Sequence, residues 1–310
     1  MLNAYLPMRA SVMEEITLNY DQKIASDANT IFLIDCLRED DKQSARTRHE
    51  GICDSLMALS AQNIIHDTSR VYHVQCRHRD NWSAAMKKIR DSCKVGLLPL
   101  VFIDGHGDAE KGLAMPSGGF ICWQQYGQDL RAIMDAARGE LTVVAGFCHS
   151  FSFIATAANE DGKLPFGFYF GYKGEVLTSV VEDETQIIYE SLINDGGQVL
   201  NSRSLEISSF NEYDHAEKIV GQVAFMRLRP EALVAEQPQL SKANLRKVLE
   251  KYLAQQGKPL GEMREIVKHV LSNTPRIAER LIDTYMHDTT RRSHFKKQIL
   301  SQMEEADLPR

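Results

Sequence analysis

Five short apolar runs set the rhythm of the chain: 30–36 (TIFLIDC), 70–76 (RVYHVQC), 98–104 (LPLVFID), 140–146 (ELTVVAG) and 166–170 (FGFYF). They are dense in Val, Ile, Leu and Phe and end in polar or glycine-rich stretches. Continuous rather than alternating apolar character predicts strands covered on both faces. Between them the period changes to that of a helix. Ile52, Leu56, Met57 and Leu59 recur in 46–60, and Trp82, Met86 and Ile89 in 80–93, where Asp80 is the expected N-cap. Tyr126, Leu130, Ile133, Met134 and Ala137 share one face of 124–138. Val180, Ile187, Ile188 and Leu192 share one face of 178–194, with Glu182, Asp183 and Glu184 near the helix start, where the dipole favours them.

The expected order is β-α-β-α-β-hairpin-α-β-α-β-α, an α/β fold with a mostly parallel sheet and right-handed crossovers. The hairpin is 112–123, two apolar pieces flanking Pro116-Ser117-Gly118-Gly119. The segment 222–228 (QVAFMRL) is read as a last strand before Pro230. Beyond it, 239–255 and 261–304 are charged and helix-periodic, with breaks expected at Gly257, Pro259 and Pro275.

Charge supports a change of texture there. Fourteen basic and eleven acidic residues give 231–310 a net charge of +3, so 1–230 carry −9 of the chain's −6. At 310 residues, 43% hydrophobic and 25% charged, the composition is that of a globular protein of one or two domains. With 36 basic against 42 acidic residues, nucleic acid is not an expected partner. No apolar run approaches the ~18 residues of a membrane span, so no membrane partner is expected either. The N-terminal stretch MLNAYLPMRASVMEEITL has no basic region followed by an apolar core, so the expected location is cytoplasmic.

In open α/β sheets, sites form beyond the carboxyl ends of the strands. Asp104-Gly105-His106-Gly107-Asp108 follows the third strand and Gly146-Phe147-Cys148-His149-Ser150 the fourth. A histidine and a cysteine thus reach the same edge. A thiolate attacks carbonyl carbon, an imidazole takes its proton and returns it to a leaving amine, and free amides hold the oxyanion. The expected nucleophile is Cys148, the expected base His106, and the expected oxyanion donors are the N–H groups of Gly107 and Cys148. His149 is a weaker rival base, because a side chain adjacent to the nucleophile points away from it.

These motifs, VFIDGHGD (101–108) and TVVAGFCHS (142–150), resemble those of the caspase-type cysteine peptidases, which include caspases, metacaspases, separase and the bacterial CHAT-type proteases. FGFYFGYKGEV (166–176) resembles the strand that follows in bacterial members. The likeness covers roughly 28–200. It implies a three-layer caspase-like peptidase domain over 1–230, a His106–Cys148 dyad, protein or peptide substrates, and chemistry that uses no cofactor and no metal. It leaves 231–310 as a helical regulatory or interaction region able to receive a protein partner. Bacterial relatives often act as effectors in defence or programmed death. Gly146 stands where caspases carry a glutamine of the aspartate pocket, so strict aspartate specificity is not implied. The family's specificity pocket draws on the loop after the first strand, here Asp35-Cys36-Leu37-Arg38-Glu39-Asp40-Asp41. Asp35 or Glu39 would select basic side chains and Arg38 acidic ones. The acidic majority favours Lys or Arg before the scissile bond. Tyr172 and Lys173 are expected at another pocket wall.

Three other readings fit parts of the pattern. Gly146–Ser150 resembles a nucleophile elbow, with Asp195 or Asp214 and His215 completing an α/β-hydrolase triad. Asp104, His106 and Asp108 alternate as metal ligands can. A scaffold could act through the C-terminal helices, where Arg291, Arg292, Lys296 and Lys297 near His294 and Phe295 read as a solvated basic face. The six cysteines include no C-x-x-C pair and are read as unpaired. Cys53, Cys93 and Cys122 are expected to be structural, and Cys36 and Cys76 to line the cleft.

Overall fold

The computed structural model describes residues 26–61, 70–157, 163–194, 205–228 and 273–305, with isolated positions between 243 and 265. The N-terminal stretch, Asp195, Gly257 and most of the loop 157–164 and of the helical pattern in 239–272 lie outside them. Two compact units are present, Lys23–Glu212 with His287–Thr289, and Tyr213–Met286 with Thr290–Arg310, grouped with Met1–Gln22.

The larger unit is α/β. Strands β1 (Thr30–Asp35), β2 (Val71–Gln75), β3 (Pro99–Asp104), β7 (Thr142–Gly146), β8 (Phe168–Gly171) and β9 (Ser208–Asn211) form a sheet ordered β2-β1-β3-β7-β8-β9. All neighbours are parallel except β8 and β9. Helix α1 (Ser44–Ala61) follows β1, α2 (Arg79–Lys94) follows β2, α3 (Trp123–Ala136) precedes β7, the short α4 (Ile154–Ala157) follows it, and α5 (Thr178–Asn194) follows β8. Between β3 and α3, the strands β4 (His106–Asp108), β5 (Gly112–Ala114) and β6 (Phe120–Ile121) make a small antiparallel sheet.

Strand residues divide by parity between two cores. Phe32, Ile34, Val101, Ile103, Val143 and Ala145 pack with Trp82, Met86 and Ile89 of α2 and Tyr126, Leu130 and Ile133 of α3. Ile31, Leu33, Leu100, Phe102, Val144 and Phe168 pack with Ile52 and Leu56 of α1 and Val181, Ile188 and Leu192 of α5. The uninterrupted apolar runs arise because successive side chains enter opposite, equally dry layers. β2 is the exception: as an edge strand it is only half buried, although its run looks like the others.

Several expectations need correction. Helix α2 starts at Arg79, not after a capping Asp80: Asn81 Oδ1 accepts the His78 amide at 3.2 Å, and Asp80 joins the first turn. The segment 222–228 is not a strand; it continues helix α6 (Glu212–Leu228), and the last strand is β9. Pro275 does not break a helix but stands in the first turn of α7 (Thr274–Tyr285), where its missing N–H costs nothing. The basic cluster on α8 (Thr289–Glu305) is solvated only in part: Lys297 is exposed, as expected, and the others are not. Arg291 and Phe295 are buried, Lys296 pairs with Asp283 and Glu279 of α7, and Arg292 lies 3.7 Å from Asp283. Tyr213, Ala216, Val220, Ala278, Ile282, Phe295, Ile299 and Met303 supply buried side chains to this second unit at helical spacing. Among the described residues no helix is long and apolar enough to cross a membrane.

Two polar features brace the sheet unit. Arg48 of α1 forms a buried ion pair with Asp104, the last residue of β3. The same guanidinium donates to Thr185 Oγ1 of α5 at 2.7 and 3.2 Å and lies over the Phe102 ring. Removing one member of a buried pair strands the other charge, so Arg48→Ala should cost about 3–5 kcal/mol, read as a lowered urea midpoint. The second feature is His287, whose amide donates to Glu212 Oε1 at 3.0 Å and whose Nε2 is buried without a partner. Gly139 makes room for it: at φ +95°, an added Cβ would meet His287 Cβ at 2.9 Å. Burial first, then Lys163, push the imidazole down to about 4. A histidine depressed on folding takes its proton more readily when unfolded, so stability falls as pH drops from about 6.5 towards 4. A His287→Leu variant should lose less stability than the wild type between pH 7 and pH 4.5 in parallel urea titrations.

Candidate active site

The β1–β3–β7 register brings the candidate residues to one edge of the sheet. Asp35 is level with Asp104, and Asp104 with Gly146. His106 and Cys148 each follow their level pair by two residues, so adjacent strands deliver both to one edge. The strand order reverses direction between β1 and β3, which opens a crevice between the loops that leave them.

The two segments touch through their backbones. A Cβ added to Gly107 would lie 1.9 Å from the Cys148 carbonyl oxygen and 2.7 Å from Phe147 Cδ2. Only glycine permits that approach. The Cys148 segment is then held from the other side. Ser150 Oγ donates to the Ala145 carbonyl at 3.0 Å and accepts the Tyr172 amide at 2.9 Å. The His149 amide donates to Gly174 O and the Phe151 amide to Tyr172 O, both at 2.9 Å. Between these anchors His149 takes a left-handed conformation, φ 58° and ψ 11°. A side chain tolerates that region only when its surroundings impose it.

Cys148 is partly exposed, and its sulfur lies against the backbone of Val176: the Val176 amide donates to Sγ at 3.4 Å, and Val176 O lies 3.7 Å away. The Val176 backbone thus offers the sulfur one donor and one acceptor. The Cys148 amide makes no hydrogen bond among the described residues, as an oxyanion donor requires. His106, on β4, is 54% exposed, and its Nε2 lies 2.9 Å from Asp41 Oδ2. The two side chains therefore bond to Asp41 and Val176, and the two segments meet through backbone.

The expected pocket residues are dispersed. Asp35 is buried, with one oxygen accepting the Leu37 amide and the other 3.1 Å from His73 Nε2. Arg38 and Glu39 are exposed on the same loop, Glu39 3.4 Å from Arg77. Gly146 is covered by Val181 and Asp104. Tyr172 is buried and donates its hydroxyl to Glu184 at 3.0 Å; burial, then Glu184, raise it far above the usual phenol range. Lys173 is exposed, its ammonium over the Phe151 ring. Cys36 and Cys76 do not line the cleft. They are buried thiols, and the neighbouring Cys76, with burial, pushes Cys36 up. Cys93 is raised to about 11 by burial, whereas Cys122, expected in the core, is exposed just before α3.

The alternating Asp104, His106 and Asp108 do not converge: Asp104 is bound to Arg48, His106 to Asp41, and Asp108 accepts the Glu110 and Lys111 amides. Among the described residues no three His, Cys, Asp or Glu side chains are grouped to hold a metal. His215 is buried on α6, its ring 6.0 Å from that of Tyr285. Sequence reasoning missed Asp41 as the partner of His106, the Val176 backbone, and the Arg48 support beneath the site. The acidic loop held the signal for Asp41 but did not single it out among five carboxylates and thiols.

No model of a known protein family matches the chain, and no curated protein matches it.

A Gly107→Ala chain must move either β4 or the Cys148 carbonyl. It should lose at least ~2 kcal/mol of stability, by analogy with other overpacked cores, and alter the rate of Cys148 alkylation, both read on the same preparation.

Proposed function

We propose that the chain is a cysteine peptidase of caspase type, with the larger unit as a three-layer caspase-like peptidase domain. The observation that carries the reading is the contact of Gly107 with the Cys148 carbonyl, which seats the residue after His106 directly on the nucleophile segment. Parallel register, a partly exposed Cys148 sulfur and a Cys148 amide without a hydrogen bond among the described residues support acyl transfer.

In this reading His106 takes the thiol proton, and the Cys148 sulfur attacks the scissile carbonyl carbon. Oxyanion charge is received by the Cys148 and Gly107 amides. The carbon–nitrogen bond breaks as imidazolium returns the proton to the leaving amine, which leaves a thioester. Water, deprotonated by His106, then attacks the thioester and frees the thiol. Nothing in these steps calls for a cofactor. Six cysteines without a disulfide suit a reducing, cytoplasmic setting. Region 231–310 is assigned a regulatory or partner-binding role, in keeping with its opposite net charge.

The substrate loop presents Glu39 and Asp40 to solvent, while Asp35 has both oxygens bonded inside. A basic residue before the scissile bond fits that surface. Proteome-wide cleavage-site profiling should give new termini after Lys or Arg with the wild type and none with Cys148→Ala or His106→Ala. Termini shared by wild type and Cys148→Ala would defeat the reading. Activity lost in His215→Ala but kept in His106→Ala would point to the hydrolase instead. Cleavage confined to sites after Asp or Glu would remove the basic-pocket assignment alone.

A further inference from the structure

The loop between β1 and α1 places a carboxylate on the base. Asp41 Oδ2 lies 2.9 Å from His106 Nε2 and accepts the Arg38 amide at 2.7 Å. The turn that carries it is closed by its own bonds: the Asp41 amide donates to Arg38 O at 3.3 Å, and Gln43 Nε2 donates to both Arg38 O and Asp41 O at 2.9 Å. The neighbouring charges are committed elsewhere. Lys42 pairs with Glu182 of α5, Asp108 with Lys111, and Glu39 with Arg77. Asp41 is thus the carboxylate that reaches His106.

An ionised carboxylate only accepts hydrogen bonds, so the proton between Asp41 and His106 belongs to Nε2. Burial works to raise Asp41, but the Arg38 amide and then His106 outweigh it and hold the group below the ordinary carboxylate range. It is therefore ionised wherever a peptidase of neutral pH would work. With Nε2–H fixed on Asp41, Nδ1 is the nitrogen left for the thiol, and the imidazolium formed on proton transfer faces a negative charge.

We propose that Asp41 is the positioning residue of this site, holding His106 by Nε2 so that Nδ1 serves Cys148, which makes an Asp41–His106–Cys148 relay out of a dyad. The inference rests on the cysteine-peptidase reading, and it assigns the loop after β1 a part in the chemistry besides any part in specificity. Asp41 touches neither substrate nor sulfur; it acts through the imidazole.

The test needs no substrate. Iodoacetamide alkylation of Cys148 is followed peptide by peptide by mass spectrometry on the full chain from pH 5.5 to 9.5. The set is wild type, Asp41→Asn, Asp41→Glu, His106→Ala and the Asp41→Asn/His106→Ala double variant. Asn keeps an acceptor for the Arg38 amide but loses the charge. At pH 6.5 Asp41→Asn should react roughly tenfold more slowly than wild type, the size expected for loss of one nearby charge, and converge with it at high pH. His106→Ala should be slower still, and the double variant should match it, because Asp41 has no route to the thiol except through the imidazole. Asp41→Glu should recover part of the rate. If Asp41→Asn tracks the wild type while His106→Ala is slow, the Asp41 assignment fails and the dyad stands. The assignment fails also if the double variant is slower than His106→Ala. If His106→Ala tracks the wild type at every pH, the cysteine-peptidase reading itself fails. Should Asp41→Asn not fold, Asp41→Ser, whose hydroxyl can accept the same amide, takes its place.

Discussion

Everything at the candidate site hangs on the close passage of Gly107 over the Cys148 carbonyl. Parallel register alone brings two strand ends to one edge, but strand ends splay as the chain turns into its loops. Here the two backbones stay in contact after the strands have ended. The contact excludes any side chain at 107 and packs the segment carrying His106 directly on the segment carrying Cys148. Gly107 also belongs to β4, so the hairpin, otherwise an insertion, becomes the support for His106.

Beneath that contact the fold supplies stiffness where a site needs it. Asp104 ends β3 and is held by Arg48, which itself reaches Thr185. One guanidinium therefore links α1, β3 and α5 under the residue that precedes Gly105-His106. On the cysteine side, Ser150 ties the loop to β7 and to Tyr172 beyond β8. His149 carries the strain that this tethering imposes. The Cys148 sulfur is left partly exposed in the middle of a braced segment, whereas the Cys36 and Cys76 thiols are buried.

Much of this was written in the chain. The five apolar runs are strands because both faces of a central sheet must be dry, and each run carries residues for two cores at once. The glycines around His106 and the order of the two motifs marked the site. What could not be read had physical reasons. β2 looks like an interior strand, since edge position is set by the order of crossovers and not by composition. The apolar stretch 222–228 is too short for period to separate strand from helix, and the helix begun at Glu212 decides it. Asp41 was one acid among several in a loop, and only the turn closed by Arg38 and Gln43 shows which one faces His106. The Val176 contact is made by backbone and has no signature in a side chain. Arg292 and Lys296 on α8 looked solvated because their acidic partners sit on α7, 13 positions away in the case of Lys296 and Asp283.

The central claim is that Cys148 attacks an acyl carbon with His106 as its base. The most direct measurement is covalent capture by peptidyl acyloxymethyl ketones, a library varied at the residue next to the warhead, with the adduct mapped by mass spectrometry. The account predicts a single adduct on Cys148 that is dependent on the peptide and lost in His106→Ala. An adduct spread over the six cysteines, or one on Cys148 that forms equally well without His106, would contradict it.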